Sequence, residues 1–492
     1  MKTAIVWLRR DLRVTDNTAL ETAAAQASKV IPVYVLSKWG GSHRWTGANR
    51  QQFLCGCLAS LDQNLRAIGV PLVIRRGSAV DELQKLVQET RAQAVFFNRD
   101  PDPFGRRIEV ELAALGRENG LKIVGCKDVS IHERDEVLTS SGEPFRVFTP
   151  YARAWAKLAR PSANGRVRKL KSPGSIFSLP LPTLETWGLK PEAGVLEAGE
   201  KAARARMKTF LESGLVTYGM GRNALAGTVT SRLSQDLRFG LLSIRELLQK
   251  CQEREADFPA GGRKSAQKFI SELIWREFCL SILWHFPEVL DMEFNPKFRG
   301  MVWPGKRENF ELWCAGETGF PIVDAAMRQL NQTGYMHNRA RMIVAMFLTK
   351  DLLLDWRLGE SYFMQKLTDG EIASNNGGWQ WNAGTGADAA PYFRILNPWT
   401  QTARHDPEGD YIKKWIPELR DVPPEKLAEP PGLGQRLAKN YPPPIVDHAR
   451  AREKALELFG GYKITRDRMA SKKAASRWCG RLDLFADREK RS

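Results

Sequence analysis

The chain has 492 residues, of which 26% are charged and 43% hydrophobic, and its formal net charge is +18. This length exceeds what one domain usually holds and supports two or three domains, each with its own core. The basic balance favours a polyanionic partner, with nucleic acid as the leading candidate, although an ordinary basic enzyme would show the same balance.

Cysteine usage and apolar runs limit the compartment. The seven Cys residues are scattered and form no CxxC pair, so neither a disulfide framework nor a metal site is predicted. The apolar run Ala4–Leu8 is too short for a signal peptide, and no run is long enough to span a membrane. We therefore expect a cytoplasmic protein, monomeric and without membrane contact.

The first part of the chain alternates short apolar runs with helical patterns. The runs lie at Ala4–Leu8, Val30–Leu36, Pro71–Ile74, Ala94–Phe97 and Lys122–Cys126. Strands that alternate with helices at this spacing predict a parallel sheet with right-handed crossovers. Residues 1–130 are thus predicted to form a doubly wound α/β domain that binds ligands at the carboxyl ends of its strands. The turn after the first run lacks GxGxxG, which argues against an ordinary dinucleotide site.

The pattern changes beyond residue 130. Residues 131–200 are predicted to be an interdomain linker, since 170–186 are rich in Lys, Pro, Ser and Gly without a clear period. Residues 201–465 carry long amphipathic patterns, which predict a mostly α-helical domain. Residues 466–492 hold nine Lys/Arg against four Asp/Glu and are predicted to be a peripheral basic tail.

Two polar clusters open the predicted helical domain, Tyr218–Arg222 and Thr230–Ser234. Hydroxyl and backbone N–H groups that begin a helix near Gln235 suit a diphosphate, because orphan donors at a helix N-terminus favour anions. From these residues alone, a capping cluster without a ligand is the simpler explanation.

A second candidate is a helix over Ser271–Cys279. Glu272, Trp275, Arg276 and Cys279 fall at i, i+3, i+4 and i+7 and share one face. A carboxylate, an indole and a guanidinium on one face suit the wall of a ligand site. The alternative is a solvated Glu/Arg bridge that contributes little.

A third candidate follows Gly334. Asn338, Arg341 and Met342 share a helical face there, and an Asn can read the Watson–Crick edge of a base. Taken alone the signal is weak, because Asn and Arg near a helix start are commonly caps or solvated residues.

Asp369–Trp381 is the most informative stretch, because it combines acceptors, paired amides, two successive glycines and two indoles. Successive glycines let the backbone approach a ligand closely, and the amides offer both donors and acceptors. Trp379 and Trp381 offer π-faces for stacking or electron transfer. These features predict a site for a flat ring with polar edges rather than a surface loop.

Continued by residues 384–398, this stretch resembles the flavin-binding core of the photolyase/cryptochrome family, and the chain is most similar to class I cyclobutane pyrimidine dimer photolyases. The resemblance runs from Val6 to Leu419. It implies that FAD binds in the helical domain, with Asn375 beside flavin N5. The residues it implies for FAD binding are Tyr218, Thr230, Ser231, Arg232, Leu233, Ser234, Arg341, Asp369, Gly370, Glu371 and Asn375.

The resemblance also implies a DNA lesion as substrate. Glu272 would contact the carbonyls of a flipped-out pyrimidine dimer and Trp275 would stack on it, while Cys279 stands where the family usually has Tyr. Asn338 and Met342 stand where (6-4) photolyases carry His, which favours the cyclobutane dimer. The remaining residues expected to bind substrate or DNA are Arg222, Arg276, Arg339, Trp381 and Gln401.

The resemblance further implies an electron relay through Trp303, Trp356 and Trp379. It places a light-harvesting antenna in the first domain, of folate or deazaflavin type if one is present, but the motifs do not identify it. The predicted function is light-driven repair of cyclobutane pyrimidine dimers by electron transfer from photoexcited reduced FAD. Two alternatives stay open: a cryptochrome-like blue-light sensor and a (6-4) repair enzyme.

Overall fold

The computed structural model describes residues 1–40, 43, 45–391, 393–432 and 434–465. The amino-terminal domain contains a parallel five-stranded sheet formed by β1 (Thr3–Leu8), β2 (Lys29–Leu36), β3 (Val73–Arg76), β4 (Ala94–Asn98) and β5 (Lys122–Cys126). The strand order is β3-β2-β1-β4-β5, so the order reverses between β1 and β4. Ligands bind at the carboxyl ends of the strands around such a point.

The central strand is buried along its whole length, as a strand covered by helices on both sides requires. One face of β1 belongs to a core cluster with Ala4, Val6 and Leu8, whereas Ile5 and Trp7 belong to a second cluster on the opposite face. The alternation follows from the two-residue period of a strand. The helices of this part are α1 (Thr18–Gln26), α2 (Ala48–Ala67), α3 (Ala79–Thr90), α4 (Pro103–Asn119) and α5 (Phe148–Lys157).

The rest of the described chain is helical. Its helices are α6 (Glu200–Thr209), α7 (Tyr218–Gly221), α8 (Ser234–Arg238), α9 (Ile244–Asp257), α10 (Ala260–His285), α11 (Arg307–Ala315), α12 (Pro321–Thr333), α13 (Asn338–Met346), α14 (Trp356–Lys366), α15 (Ile372–Ala383), α16 (Pro398–His405), α17 (Asp410–Trp415), α18 (Pro424–Leu427) and α19 (His448–Thr465). Short π-helical segments follow α6 at Phe210–Gly214 and α13 at Phe347–Asp351. In the described part of the chain, no helix is long and apolar enough to cross a membrane.

Buried ion pairs join the sheet domain to the helices. Arg245 on α9 donates to Asp16 at 2.9 Å and to Asp128 at 2.8 Å, and Asp128 also accepts from Arg13 at 2.7 Å. All of these side chains are at most 4% exposed. Each charge is paired, as burial of ions requires.

The predicted fold class, a doubly wound parallel sheet followed by a mostly helical domain, is confirmed. The five strands lie within a few residues of the predicted runs. Several helices were not predicted, and two of them bear on the site: α5 lies inside the expected linker, and Asp369–Trp381 is largely α15. The basic tail at 466–492 lies outside the described residues.

Candidate functional site

One large cavity, of about 610 Å³, opens among α10, α13, α15 and the segment around α7 and α8. Its lining combines apolar and aromatic side chains with many polar and charged ones, which suits a large ligand with both flat and polar parts. Among the residues proposed from the sequence, those that line it are Tyr218, Arg222, Thr230, Ser231, Arg232, Leu233, Ser234, Glu272, Trp275, Arg276, Asn338, Arg339, Arg341, Met342, Asp369, Gly370, Glu371, Asn375, Trp379 and Trp381.

Helix α10 supplies one wall through the predicted face. Glu272 pairs with the Arg222 guanidinium at the end of α7. Trp275 stacks on Phe148 of α5, with ring centroids 3.7 Å apart and planes only 8° from parallel. Phe148 does not line the cavity, so one indole face is covered by the protein and the other is left for a ligand.

Burial raises the pKa of the Cys279 thiol, on the same face of α10, to about 12. Cys279 therefore presents a neutral thiol to the cavity wall. A Cβ added at Gly377 of α15 would lie 3.1 Å from its sulfur, so Gly377 allows α15 to pack closely against α10.

Arg276 lines the cavity and also takes part in a buried ion pair. Its guanidinium donates to the Val129 carbonyl at 3.0 Å and to Glu371 at 3.1 Å, and its side chain is 11% exposed. These two bonds hold the guanidinium on the protein side, and its contact with DNA stays a prediction. Sequence spacing identified the correct face of α10, but the long side chain reaches past the cavity towards the sheet domain.

Glu371 is the centre of this buried network rather than a free ligand group. It accepts from Arg10, at the carboxyl end of β1, from Arg276 and from Ser374. Burial raises the pKa of Glu371, but Arg276, Arg10 and Arg238 outweigh it and hold the pKa at about 2. Glu371 is therefore ionised, and its ion pairs with Arg10 and Arg276 fix the chain at this part of the cavity lining.

Asp369 and Arg341 form a second ion pair that lines the cavity. Arg341 donates to Asp369 Oδ2 at 2.7 Å, and the same guanidinium donates to the Met336 carbonyl at 2.9 Å. Asp369 Oδ1 is buried and has no donor among the described residues. A buried acceptor without a partner costs free energy, so this oxygen fits a ligand that brings a hydroxyl or N–H group.

Arg232, which also lines the cavity, is a second residue with a buried polar atom that lacks a partner among the described residues. It has a positive φ of 54°, which a non-glycine residue adopts only where its surroundings hold it. Its guanidinium lies 3.7 Å from the Tyr335 ring centroid, and its buried Nε has no acceptor within the described ranges. The segment before α8 thus presents a cation and hydroxyl groups, which fit an anionic group on a ligand.

The amides of α15 divide into two roles. Asn375 donates to the Glu360 carbonyl at 3.1 Å and lines the cavity. Asn376 is buried and donates to Glu360 Oε1 at 2.9 Å and to the Val289 carbonyl at 3.0 Å. Both side chains line the cavity, but the two bonds donated by Asn376 also hold α15 to α14 and to the segment at Val289.

The three tryptophans predicted to form a relay lie in one hydrophobic region beside the cavity. Trp379 lines the cavity and is 2% exposed, Trp356 is fully buried, and Trp303 is partly buried. Trp356 and Trp379 belong to one hydrophobic cluster, and Trp303 packs against that cluster. Trp313, which the sequence did not single out, contacts Trp379 edge-on with ring centroids 6.1 Å apart.

Gln401 is the predicted residue that the structure places elsewhere. It lies on the inward side of α16, is 7% exposed and does not line the cavity, so its DNA contact stays a prediction that the cavity geometry does not support. The outward side of the same helix carries Arg404, which sequence reasoning missed. Burial lowers the pKa of Arg339, and the nearby guanidinium groups of Arg222, Arg404 and Arg394 lower it further.

Two family models and several known proteins match this chain. Residues 4–170 match the family model for DNA photolyase, and residues 269–461 match the model for the FAD binding domain of DNA photolyase. The deoxyribodipyrimidine photo-lyase of Synechococcus sp. is 37% identical over 93% of this chain and 96% of its own length.

Two solved structures of photolyases are similar to this chain over nearly its whole length. A bacterial class III photolyase from Agrobacterium tumefaciens is 36% identical, with a TM-score of 0.87 over 94% of this chain and 98% of its own. An archaeal photolyase from Sulfolobus tokodaii, described with two FAD molecules and a novel light-harvesting cofactor, is 30% identical, with a TM-score of 0.81 over 93% of this chain and 100% of its own.

Proposed function

The chain belongs to the DNA photolyase family, and we propose that it repairs cyclobutane pyrimidine dimers in DNA with light, as an FAD-dependent lyase. The observation that carries this proposal is one cavity lined by both the expected flavin-binding residues and the expected dimer-binding residues. A second chromophore in the sheet domain would act as an antenna, as the two FAD molecules of the Sulfolobus tokodaii relative suggest by analogy.

The lining fits FAD. Asp369 Oδ1 and Arg232 Nε are buried without partners among the described residues, and the ligand's hydroxyl and phosphate groups would satisfy them. Asn375 would face the flavin ring, and Trp379 would lie at its edge. Reduced FAD, when bound, supplies on illumination the electron that opens the dimer ring and receives it back afterwards.

The protein's own groups hold the dimer. Trp275 offers one open indole face, which favours a flipped-out base through stacking worth roughly 1–3 kcal/mol. Glu272 is held by Arg222. Arg222 would donate to a dimer carbonyl, where negative charge develops, and Glu272 would hold Arg222 in place and accept from a dimer N–H.

Arginines at the cavity and beside it would attract DNA. Arg222, Arg404 and Arg394 lie close enough to Arg339 to lower its pKa, and phosphates would relieve that repulsion. We also propose that the protein works as a monomer in the cytoplasm. The free thiols of the described cysteines fit a reducing compartment, and a single chain supplies the whole cavity.

The deciding experiment irradiates the chemically reduced protein with DNA that carries either a cyclobutane dimer or a (6-4) photoproduct. We expect reversal of the cyclobutane dimer only. Reversal of the (6-4) lesion would favour the second repair chemistry, and light-dependent flavin redox change without reversal of either lesion would favour a blue-light sensor.

A further inference from the structure

The middle tryptophan of the proposed relay has a charged partner. Trp356 Nε1 donates a long hydrogen bond of 3.4 Å to Glu293 Oε1, and the Glu293 side chain is 2% exposed. Arg357 pairs with the same carboxylate oxygen at 3.0 Å. The guanidinium carbon of Arg357 also lies 4.6 Å from the centroid of the Trp356 ring. A fully buried indole is thus in contact with one negative and one positive group.

The other two tryptophans lack such partners. The indole nitrogens of Trp379 and Trp303 are buried and have no acceptor among the described residues. Trp379 packs against Trp313 and Phe363, which are uncharged. Electrostatic control of the relay is therefore concentrated at Trp356.

We propose that Glu293 is a positioning residue that favours positive charge on Trp356 and so directs it outward from Trp379, a role that rests on the proposed relay. When Trp379 has lost an electron, Trp356 supplies one, and its Nε1 proton stays in the hydrogen bond to Glu293. Trp303 then supplies an electron to Trp356 and keeps its buried indole proton. A thiol in solution returns an electron to Trp303, releases its proton to water and becomes a thiyl radical, while the electron that left Trp379 stays on the oxidised flavin that accepted it.

The direction of each charge's effect on a positive Trp356 follows from Coulomb's law at short range. The carboxylate lowers the free energy of a positive Trp356, whereas the guanidinium raises it. Removing Glu293 leaves Arg357 beside the ring, where it still pairs with Asp355 at 3.1 Å through its other terminal nitrogen, and removing Arg357 leaves the Glu293 carboxylate without that guanidinium. A purely structural role for this ion pair would make both substitutions act in the same direction.

The experiment compares Glu293→Gln, Arg357→Gln and the double variant by flash photolysis of FAD-loaded protein with the flavin oxidised and a thiol present. The readout is the yield of the tryptophan radical absorbance. Glu293→Gln should lower that yield on the order of tenfold, since a buried charge is only weakly screened. Arg357→Gln should match or exceed the parent protein, and the double variant should lie between the two.

Controls separate this inference from the relay itself. Glu418→Gln breaks an ion pair with Arg328 that contacts no relay tryptophan, and it should leave the radical yield unchanged. Repair after chemical reduction bypasses the relay and should be equal in all variants. An equal fall in yield for Glu293→Gln and Arg357→Gln, or an unchanged yield for Glu293→Gln, would overturn the role of Glu293. An unchanged yield in Trp356→Phe would overturn the relay instead.

Discussion

Glu272 and Arg222 form an ion pair at the cavity wall, and the pair joins the end of α7 to the middle of α10. The Glu272 side chain keeps 32% of its surface exposed, so the pair can still be reached by a ligand. The residues expected to bind the dimer are therefore arranged before any substrate arrives.

The first prediction removes the carboxylate. Glu272→Ala should lower the number of dimers split per absorbed photon while flavin content stays that of the parent, because Glu272 orients the dimer and Arg222 loses its partner. Repair yield on reduced protein and the ratio of flavin to protein absorbance measure the two effects. Glu253→Ala, an exposed carboxylate on α9, is the matched control. A parental yield in Glu272→Ala would remove this residue from the site.

The second prediction concerns stacking. Trp275→Ala should weaken binding of dimer-containing DNA by roughly 1–3 kcal/mol, since one base loses its aromatic partner. Phe148→Leu keeps the open face of Trp275 and removes only its support, so it should weaken binding less. Equilibrium titration with lesion-containing and undamaged duplexes measures both. Equal losses in the two variants would mean that Trp275 acts through packing alone.

Sequence patterns predicted the features that depend on the period of a single helix or strand. The face of α10 was predictable because a 3.6-residue period places Glu272, Trp275 and Cys279 together. Helix α15 was not predicted, because Asn and Gly have low helix propensity, and distant contacts override it. Asn376 and Gln380 both donate to the Val289 carbonyl, which lies far away in the sequence.

Side-chain direction was harder to predict than position. Arg276 pairs with Glu371, which is 95 residues away in sequence, and no local pattern could reveal that partner. Gln401 and Arg404 lie on the same short helix, and only the packing of α16 determines which of them turns inward. Exposed arginines such as Arg404 carry no sequence signal of their own.

The third prediction uses the paired glycines of α15. A Cβ at Gly378 would meet no protein atom within 4 Å, although Gly378 lines the cavity. Gly378→Ala should therefore leave the melting temperature of flavin-free protein equal or higher, since Ala is the better helix former by about 1 kcal/mol. It should weaken binding of FAD or of the dimer if either approaches this backbone.

Gly377→Ala is the contrasting variant. Its Cβ would crowd the Cys279 sulfur, so the melting temperature should fall without ligand, and adding Cys279→Ala should recover part of the loss. Ligand binding that is unchanged in Gly378→Ala would show that neither the flavin nor the dimer uses the space beside Gly378.

The fourth prediction follows from the low pKa of Glu371. Its pKa of about 2 lies below the ordinary value of 4.5, so Glu371 stabilises the fold above pH 4.5 and loses that contribution as the pH falls towards 2. The contribution is on the order of 3 kcal/mol. Glu371→Gln should lower the free energy of unfolding at pH 7 and flatten its fall between pH 4.5 and 2, measured by urea unfolding. If the free energy of unfolding of the variant falls between pH 4.5 and 2 as steeply as that of the parent protein, Glu371 is not the group responsible.

The fifth prediction tests the arginines at the cavity. If Arg339 and Arg404 each neutralise one phosphate, Arg339→Ala or Arg404→Ala should reduce the slope of log K against log salt by about 0.9 on duplex DNA. The loss should be similar for damaged and undamaged duplexes, because phosphate contacts carry no sequence or lesion information. Lys85→Ala removes the same charge from α3 of the sheet domain and should leave the slope unchanged. A slope that changes equally in all three variants would show that net charge, rather than these arginines, sets the attraction for DNA.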